Sequence, residues 1–241
     1  MQTTNLKNIL EKEDINVISD FYDKLEVYTE SLLETNKSLN LTAITDPHEV
    51  IIKHYYDSIY PLKLGLIDVS GRVVDVGCGA GFPSIVLRLA LGGGSFTLMD
   101  ASKKRLTFLD KVIAQLGLVN TVTLHMRAED AGRDIRFREQ FDTAVSRAVA
   151  ALPILCEYCL PLVKTGGSML AYKGDITDDE LEQGLKAAAD MGGSISKVYR
   201  YELPDNMGKR SIVLIKKESS TPEKYPRSAK KIKALKNSVE K

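Results

Sequence analysis

Apolar side chains recur every three or four positions over residues 17–39, which is the spacing of one face of an α-helix. The positions that share this face are Ile18, Phe21, Tyr22, Leu25, Tyr28, Leu32 and Leu33. Asp46 followed by Pro47 predicts a further helix start, with a capping side chain and a first-turn proline. We therefore expect residues 1–65 to be helical.

From Arg72 onward the pattern changes to short apolar runs that alternate with amphipathic stretches. The predicted strands span residues 72–76, 95–100, 121–125, 141–147, 166–174, 195–203 and 210–217. Helices are predicted over residues 83–91, 103–117, 150–163 and 178–192, the second of them capped by Ser102. The last two strands have no helix between them, so we expect a closing antiparallel hairpin.

Strands that alternate with helices predict an α/β fold with a mostly parallel sheet covered on both faces. A dinucleotide-binding sheet has six parallel strands, whereas this pattern gives seven with a closing hairpin. It favours a Rossmann-like class I methyltransferase fold with a helical N-terminal region in front. We divide the chain into that helical region (1–68), a methyltransferase core (69–217) and a basic C-terminal tail (218–241).

Composition is that of an ordinary globular protein, with 44% hydrophobic and 27% charged residues. No apolar run reaches the roughly 18–20 residues of a membrane span, and the N-terminus lacks the pattern of a signal peptide. Three cysteines argue against a disulfide framework. We interpret Cys156 and Cys159 as a structural pair rather than zinc ligands, so no metal is predicted. We expect a cytoplasmic protein and, in the absence of a zipper pattern, a monomer.

Charge is unevenly distributed, although the formal net charge is only +1. Residues 1–70 contain six Lys and twelve Asp or Glu, whereas residues 216–241 contain nine Lys or Arg and three Glu. The basic tail could follow a phosphate backbone through charge attraction. A solvated terminus is the alternative, and the sequence leaves both open.

The stretch VVDVGCGAGFPS at residues 73–84 places a glycine-rich turn directly after the first strand. In an open α/β sheet the ligand lies beyond the carboxyl ends of the strands, so Gly77 and Gly79 are predicted to bind a cofactor. The spacing puts Phe82 where a dinucleotide fingerprint requires its third glycine. Asp75 would favour the cationic amino-acid part of S-adenosyl-L-methionine over the pyrophosphate of NAD.

Acidic positions after the next two strands support a nucleoside cofactor. Asp100 ends the second strand, where a carboxylate can accept hydrogen bonds from both ribose hydroxyls. Residues 127–130, Arg-Ala-Glu-Asp, follow the third strand, where an acid or a backbone amide could bind the adenine edge. Asp100 alone would fit NAD equally or cap a helix, but the combination favours S-adenosyl-L-methionine.

The end of the fourth strand, residues 146–150, normally carries the chemistry in such folds but offers no obvious nucleophile or base. Guanine N7 has an available lone pair and no proton, so its methylation requires alignment rather than deprotonation. Arg147 is the one candidate for a catalytic role, as a group that lines the acceptor pocket. The alternative is that Arg147 pairs with a neighbouring acid.

Seven motifs then occur in an order typical of one bacterial family. They are NLTAIT (40–45), KHYYDS (53–58), VDVGCGAGFPS (74–84), KKRLTFL (103–109), RAED (127–130), SRAVAAL (146–152) and LPLVKTGGSMLAYKG (160–174). With them the chain closely resembles the RsmG (GidB) family over about residues 20–227. The resemblance implies methylation of N7 of one guanine in 16S ribosomal RNA, within the small subunit or its precursor, by S-adenosyl-L-methionine.

The resemblance also implies roles for individual residues. It implies cofactor contacts at Gly77, Phe82, Ala128, Glu129 and Arg147, with Asp100 as the ribose-binding acid. It makes the following residues candidates for the substrate pocket: Asn40, Thr42, His54, Asp57 and Ser58. Basic side chains that could contact RNA near the pocket mouth are Lys103, Lys104, Arg105, Lys173, Lys209 and Arg210.

Other functions stay open on the residues alone. The same fold could methylate a protein or a small molecule, or the chain could be a non-catalytic cofactor-binding factor in ribosome assembly. Tyr-Pro-Arg at 225–227 is kept from the family, but the prolines that usually follow are missing, so a specific tail contact to RNA also stays open.

Overall fold

The computed structural model describes residues 2–68 and 70–239, with side chains for residues 4–68 and 70–234. The predicted three-part division includes Met1, Val69 and residues 240–241, which lie outside the described residues. The division into a helical region, a core and a tail stays a prediction.

A seven-stranded sheet forms the centre of the protein, in the order β3-β2-β1-β4-β5-β7-β6. Its strands are β1 (Arg72–Val76), β2 (Ser95–Asp100), β3 (Thr121–His125), β4 (Phe141–Arg147), β5 (Val163–Lys173), β6 (Gly193–Glu202) and β7 (Lys209–Lys217). The first five strands pair in parallel, whereas β7 runs antiparallel to both β5 and β6. The mostly parallel sheet with a closing hairpin is therefore confirmed.

Helices precede the sheet and separate its strands. They are α1 (Gln2–Lys12), α2 (Phe21–Leu39), α3 (Pro47–Glu49), α4 (Asp57–Lys63), α5 (Ser84–Leu91), α6 (Lys103–Gln115), α7 (Ala128–Ala131), α8 (Leu152–Cys159), α9 (Asp178–Asp190) and α10 (Ala229–Val239). A π-helical segment, Val50–Tyr56, joins α3 to α4. Successive residues of β1 are buried in different apolar clusters, Val73 in one and Val74 in another, so both faces of the sheet are covered.

Two predicted helix starts have different outcomes. Asp46 caps α3 as predicted, since its side chain accepts hydrogen bonds from the backbone N–H groups of His48 and Glu49. Ser102 stands at the N-cap position of α6, but its side chain makes no capping hydrogen bond. The prediction of a Ser102 cap was wrong, and the side chain that bonds to a backbone N–H at this helix start is Asp100, which accepts from the Ser102 N–H at 2.7 Å.

The helical N-terminal region shares a hydrophobic core with the sheet. Helix α2 packs against α5 and α6. The buried side chains on its inner face are Phe21, Leu25, Tyr28 and Leu32. They belong to the same apolar cluster as Phe82 of the glycine-rich turn and Leu109 of α6. This shared core fixes the helical region against the carboxyl edge of the sheet.

Beyond β7 the chain folds back onto the core before it enters α10. The backbone N–H and the guanidinium of Arg227 both bond to Glu157 of α8, whose side chain is fully buried. The buried ammonium of Lys217 donates to the carbonyl oxygen of Leu160 at 2.7 Å. The first part of the predicted tail is thus anchored, and it leads into a lysine-rich helix that the sequence did not predict.

No helix within the described residues is both long and apolar enough to cross a membrane.

Candidate active site

A first cavity, of about 320 Å³, opens at the carboxyl ends of β1, β2 and β3. It is lined by Val76, Gly77, Met99, Asp100, Ala101, Arg105, Met126, Arg127, Ala128, Glu129, Ala148, Val149 and Tyr158. Four of the predicted cofactor-binding residues therefore meet here: Gly77, Asp100, Ala128 and Glu129. The other three, Gly79, Phe82 and Arg147, do not line this cavity.

Asp100 is held rigidly at the wall of the first cavity. One carboxylate oxygen accepts the Gly79 N–H at 3.0 Å, and the other accepts the Ser102 N–H. The guanidinium of Arg105 lies 3.6 Å from the same carboxylate. Gly79 does not line the cavity, but its backbone N–H orients the Asp100 carboxylate, which does.

The close approach of the glycine turn to the segment after β4 requires Gly77. Its φ is +78°, and a Cβ placed there would lie 2.5 Å from Cγ2 of Val149. Gly79 also has a positive φ, +56°, but the nearest atom to its Cβ position is 3.9 Å away. The two glycines thus share a backbone requirement but differ in the space around them.

Gly77→Ala is expected to lower the free energy of unfolding by about 2 kcal/mol more than Gly79→Ala, because it adds overpacking to the same left-handed strain. Denaturant unfolding of both variants measures this difference. Equal losses for the two variants would mean that Val149 moves aside freely.

The expectation that Asp75 lies near the ligand was wrong. Its side chain is fully buried and does not line either cavity. One carboxyl oxygen accepts the Ser84 N–H at 3.3 Å, and the other has no partner among the described residues. Burial raises the pKa of Asp75 to about 7, against the smaller opposing effect of the Ser84 hydrogen bonds. Asp75 therefore organises the turn from inside the protein.

The raised pKa of Asp75 predicts a pH-dependent stability. The folded state keeps the proton up to about pH 7, whereas the unfolded state releases it near pH 3.8. The stability that this group provides is therefore complete at low pH and falls as the pH rises through 7. Between pH 5 and pH 8 wild type is expected to lose about 2 kcal/mol relative to Asp75→Asn, measured by urea unfolding. If the free energy of unfolding changed with pH in the same way for wild type and Asp75→Asn, the raised pKa of Asp75 would be contradicted.

A second cavity, of about 490 Å³, lies between the helical region and the ends of β4, β5 and β7. Its lining residues are Ile44, Lys53, His54, Asp57, Arg147, Ala148, Val149, Ala150, Ala151, Tyr172, Lys173, Gly174 and Arg210. Ala148 and Val149 line both cavities, so the two spaces meet at this short segment after β4. Ala148 has a left-handed backbone (φ +58°), a conformation that non-glycine residues adopt mainly where the surrounding structure imposes it.

Arg147 is fixed in the wall of the second cavity by three partners. One nitrogen donates to the Asp57 carboxylate at 2.9 Å and to the Lys53 carbonyl oxygen at 3.1 Å. The other nitrogen lies 3.2 Å from Nδ1 of His54. Arg147 thus pairs with a neighbouring acid and also lines the second cavity, and its role toward an acceptor stays a prediction.

His54 is neutral and has no lone pair left for a substrate. Burial, aided by the charge of Arg147, lowers the pKa of His54 to about 3. Because a guanidinium can only donate, Nδ1 must accept from Arg147. Nε2 then carries the proton and donates to Oγ1 of Thr42 at 2.8 Å. This hydrogen-bond chain leaves His54 unsuited to the role of general base.

Phe82 lies between the glycine turn and the Arg147 cluster. Its ring stacks on the His54 ring, with centroids 4.3 Å apart, and the Arg147 guanidinium lies 5.0 Å from its centroid. Tyr28 and Tyr55 of the helical region surround the same ring. Phe82 thus connects the helical region to both cavities from behind their walls.

The other candidates for the substrate pocket are distributed as follows. Thr42, His54 and Asp57 belong to the Arg147 cluster. Ser58 is fully buried, and its hydroxyl donates to the His54 carbonyl oxygen, so it supports the cluster from below. Asn40 is not part of the pocket, because it ends α2 in a left-handed conformation with its side chain exposed.

Two tyrosines that the sequence did not single out complete the cluster. The Tyr201 hydroxyl donates to the second Asp57 oxygen at 2.7 Å, and the Tyr172 hydroxyl donates to the Ser58 carbonyl oxygen at 2.9 Å. They come from β6 and β5, far from Asp57 in the sequence. No local pattern could have connected them to the helical region.

Metal chemistry has no visible basis in the described residues, which contain no group of His, Cys, Asp or Glu placed to hold an ion. Cys156 and Cys159 are both buried and free. They pack in the apolar cluster between α8 and the sheet.

The strand order and the two cavities define the class of protein. Two solved structures share the fold: a ribosomal protein L11 methylase of Lactobacillus delbrueckii subsp. bulgaricus and a SAM-dependent methyltransferase of Methanosarcina mazei. The first has a TM-score of 0.51 at 19% identity, covering 69% of this chain and 79% of that one. The second has a TM-score of 0.51 at 15% identity, covering 66% and 98%. The chain has the class I methyltransferase fold.

Sequence comparison gives the family. The family described as rRNA small subunit methyltransferase G (GidB) matches residues 21–207. Ribosomal RNA small subunit methyltransferase G of Geobacillus sp. (strain WCH70) is 42% identical over 227 residues, which cover 94% of this chain and 95% of that protein. The protein of the same name from Lactobacillus helveticus (strain DPC 4571) is 46% identical over 209 residues, covering 86% and 87%. This chain belongs to the rRNA small subunit methyltransferase G (GidB) family, as its motifs predicted.

Proposed function

We propose that this protein transfers a methyl group from S-adenosyl-L-methionine to N7 of a guanine in 16S ribosomal RNA of the small subunit. The observation that carries the proposal is the meeting of two cavities at Ala148 and Val149, with no available base beside them. Its family membership supports the ribosomal substrate, since the relatives are named for the small ribosomal subunit.

The first cavity fits S-adenosyl-L-methionine. Asp100 and Glu129 are both buried acids in its wall, which suits the hydroxyls of a ribose and the amino group of an adenine. Met99, Met126 and Val149 add an apolar surface for the base. Asp100 would suit the ribose of a dinucleotide equally well, so the preference for S-adenosyl-L-methionine rests on the fold and the family.

The second cavity suits a base with an anionic backbone around it. Arg147, Lys173 and Arg210 bring positive charge to its wall, and Ile44 and Tyr172 add apolar surface. Lys173 and Arg210 were also candidates for RNA contact in the sequence. Their own acidic partners are Glu180 at 2.7 Å and Asp57 at 3.6 Å, so both remain oriented in the absence of RNA.

The chain's residues would act in catalysis by positioning. S-adenosyl-L-methionine supplies an electrophilic methyl group when it is bound. Asp100 would orient the ribose, and the segment Ala148–Val149 would bring the two cavities together. Arg147, fixed by Asp57 and His54, would align the acceptor base. Guanine N7 donates its own lone pair and carries no proton, so the neutral, fully bonded His54 has no proton to remove.

The same proposal covers partner and location. We assign the protein to the cytoplasm as a monomer that acts on the small subunit or its precursor. Exposed lysines of α10, Lys230, Lys231 and Lys233, add to the positive charge available for an RNA backbone.

A transfer assay tests the proposed function directly. Purified protein is incubated with methyl-labelled S-adenosyl-L-methionine and with small subunits from a strain that lacks the gene. We expect label in 16S RNA, recovered as N7-methylguanine by mass spectrometry, and none in ribosomal protein. Subunits from a strain that has the gene are the control, because their site is already methylated.

A protein methyltransferase and a non-catalytic assembly factor give different outcomes in this assay. Label in protein would favour a protein methyltransferase. Cofactor binding without transfer to any subunit preparation would favour a non-catalytic assembly factor. Either result would contradict the proposal.

A further inference from the structure

The N-terminal helical region reaches into the glycine turn through one tyrosine. Tyr28 of α2 is completely buried, and its hydroxyl donates to the Ala80 carbonyl oxygen at 2.7 Å. Ala80 stands between Gly79 and Gly81, in the middle of the turn that borders the first cavity. This contact joins residues that are 52 positions apart in the chain.

The tyrosine also packs tightly against the rest of the turn. A Cβ on Gly81 would lie 2.7 Å from Ile85, 2.9 Å from Leu109 and 3.1 Å from the Tyr28 hydroxyl oxygen, so the phenol is one of three side chains that pack closely against this glycine. The Tyr28 ring meets the Phe82 ring edge-on, with centroids 5.8 Å apart. Burial raises the pKa of the Tyr28 hydroxyl well above its usual value, so the group stays a donor at all physiological pH values.

Side chains from two different elements therefore bond to neighbouring residues in the middle of the turn. The Asp100 carboxylate takes the Gly79 N–H from the cavity side, and the Tyr28 hydroxyl binds the Ala80 carbonyl oxygen from the helical side. Without the hydroxyl, a buried carbonyl oxygen loses its partner, which favours other arrangements of the turn. In those arrangements the Asp100 carboxylate and the Gly77 backbone would no longer lie where the cofactor binds.

We propose that Tyr28 is a positioning residue for the cofactor, and that the helical region completes the S-adenosyl-L-methionine site as well as the acceptor cavity. The inference rests on the proposed function for the identity of the cofactor. The apparent affinity of a site for its ligand is proportional to the fraction of protein molecules that already have the binding conformation. Tyr28 sets that fraction through its hydroxyl, although it does not touch the cofactor cavity itself.

Tyr28→Phe removes the hydroxyl and keeps the ring. We expect its Kd for S-adenosyl-L-homocysteine, measured by calorimetry, to rise about five- to tenfold over wild type. At saturating S-adenosyl-L-methionine its kcat, and its KM for small subunits, should stay within about twofold of wild type. Tyr22→Phe is the matched control. It also removes a tyrosine hydroxyl from α2, but this hydroxyl does not bond to the turn.

Several results would overturn the inference. An unchanged Kd for Tyr28→Phe would show that the hydroxyl does not preorganise the cofactor site. A fall in kcat without a change in Kd would overturn the inference as well, because the hydroxyl would then act on methyl transfer and not on cofactor binding. An equal rise in Kd for Tyr22→Phe would likewise overturn the inference. If wild type binds S-adenosyl-L-homocysteine but methylates no RNA, only the proposed acceptor fails, and the comparison of Kd values still decides the role of Tyr28. If wild type does not bind it at all, the cofactor assignment and this inference both fail.

Discussion

Asp100→Ala is expected to weaken the binding of S-adenosyl-L-homocysteine at least about 100-fold, as measured by calorimetry. Two hydrogen bonds from ribose hydroxyls to a carboxylate are each worth about 1.5–3 kcal/mol, so their combined loss reaches this size. The substitution also frees the Gly79 N–H that Asp100 holds at 3.0 Å. The substitution thus removes the Asp100 carboxylate both as the partner of the glycine turn and as the proposed partner of the ligand's ribose.

Asp110→Ala is the matched control for Asp100. Asp110 lies on α6 close to the same strands, but among the described residues its exposed carboxylate accepts a hydrogen bond only from the Thr123 hydroxyl, at 2.7 Å. We expect its cofactor affinity to equal that of wild type. If Asp100→Ala binds the ligand within fivefold of wild type, the first cavity is not the ribose site.

The second large effect is expected at Arg147. Arg147→Ala should lower kcat/KM for small subunits by about 100- to 1,000-fold. Removal of one partner from a buried ion pair costs about 3–5 kcal/mol, and here one Asp57 oxygen and Nδ1 of His54 both lose the donor that Arg147 supplies. The Arg147 side chain is only 12% exposed and that of Asp57 only 5%, so solvent cannot replace the contact.

Arg147→Lys separates charge from geometry. An ammonium keeps the charge but cannot match the forked geometry that reaches Asp57, the Lys53 carbonyl and His54 together. We expect an intermediate loss in this variant. Arg136→Ala controls for a general effect of charge, because this exposed arginine forms its ion pair with Asp134 away from both cavities. Melting temperatures and cofactor affinities of all three variants separate a loss of transfer from unfolding or from loss of the cofactor. Full activity of Arg147→Ala would remove Arg147 from the site.

The strands and most helices were predictable because their signals are local. The apolar runs that became β1, β2 and β4 are bounded by turn residues, and the absence of a helix before β7 was enough to predict the hairpin. Asp46 capped its helix for the same reason, since an N-cap acts within three residues. α10 was missed because its many lysines were interpreted as a solvated basic terminus, although Ile232, Leu235 and Val239 recur at helical spacing.

The site was predictable only in part, since its side chains are brought together over long distances in the chain. Arg147 pairs with Asp57 across 90 positions, and Tyr201 reaches the same carboxylate across 144. Asp75 looked like a ligand-facing acid, because a strand pattern gives the position of a residue but not the direction in which tertiary packing points its carboxyl group. Gly77, Asp100 and Ala128 were correctly expected at one cavity because parallel strands end at one edge.

The most direct test of the central claim is the N7-methylguanine content of 16S RNA, measured by mass spectrometry in the source organism with and without the gene. We expect the deletion strain to lose one N7-methylguanine per small subunit. A plasmid copy of the wild-type gene should restore it, whereas a copy with Asp100→Ala should not. A deletion strain that keeps its full N7-methylguanine content would contradict the proposed function.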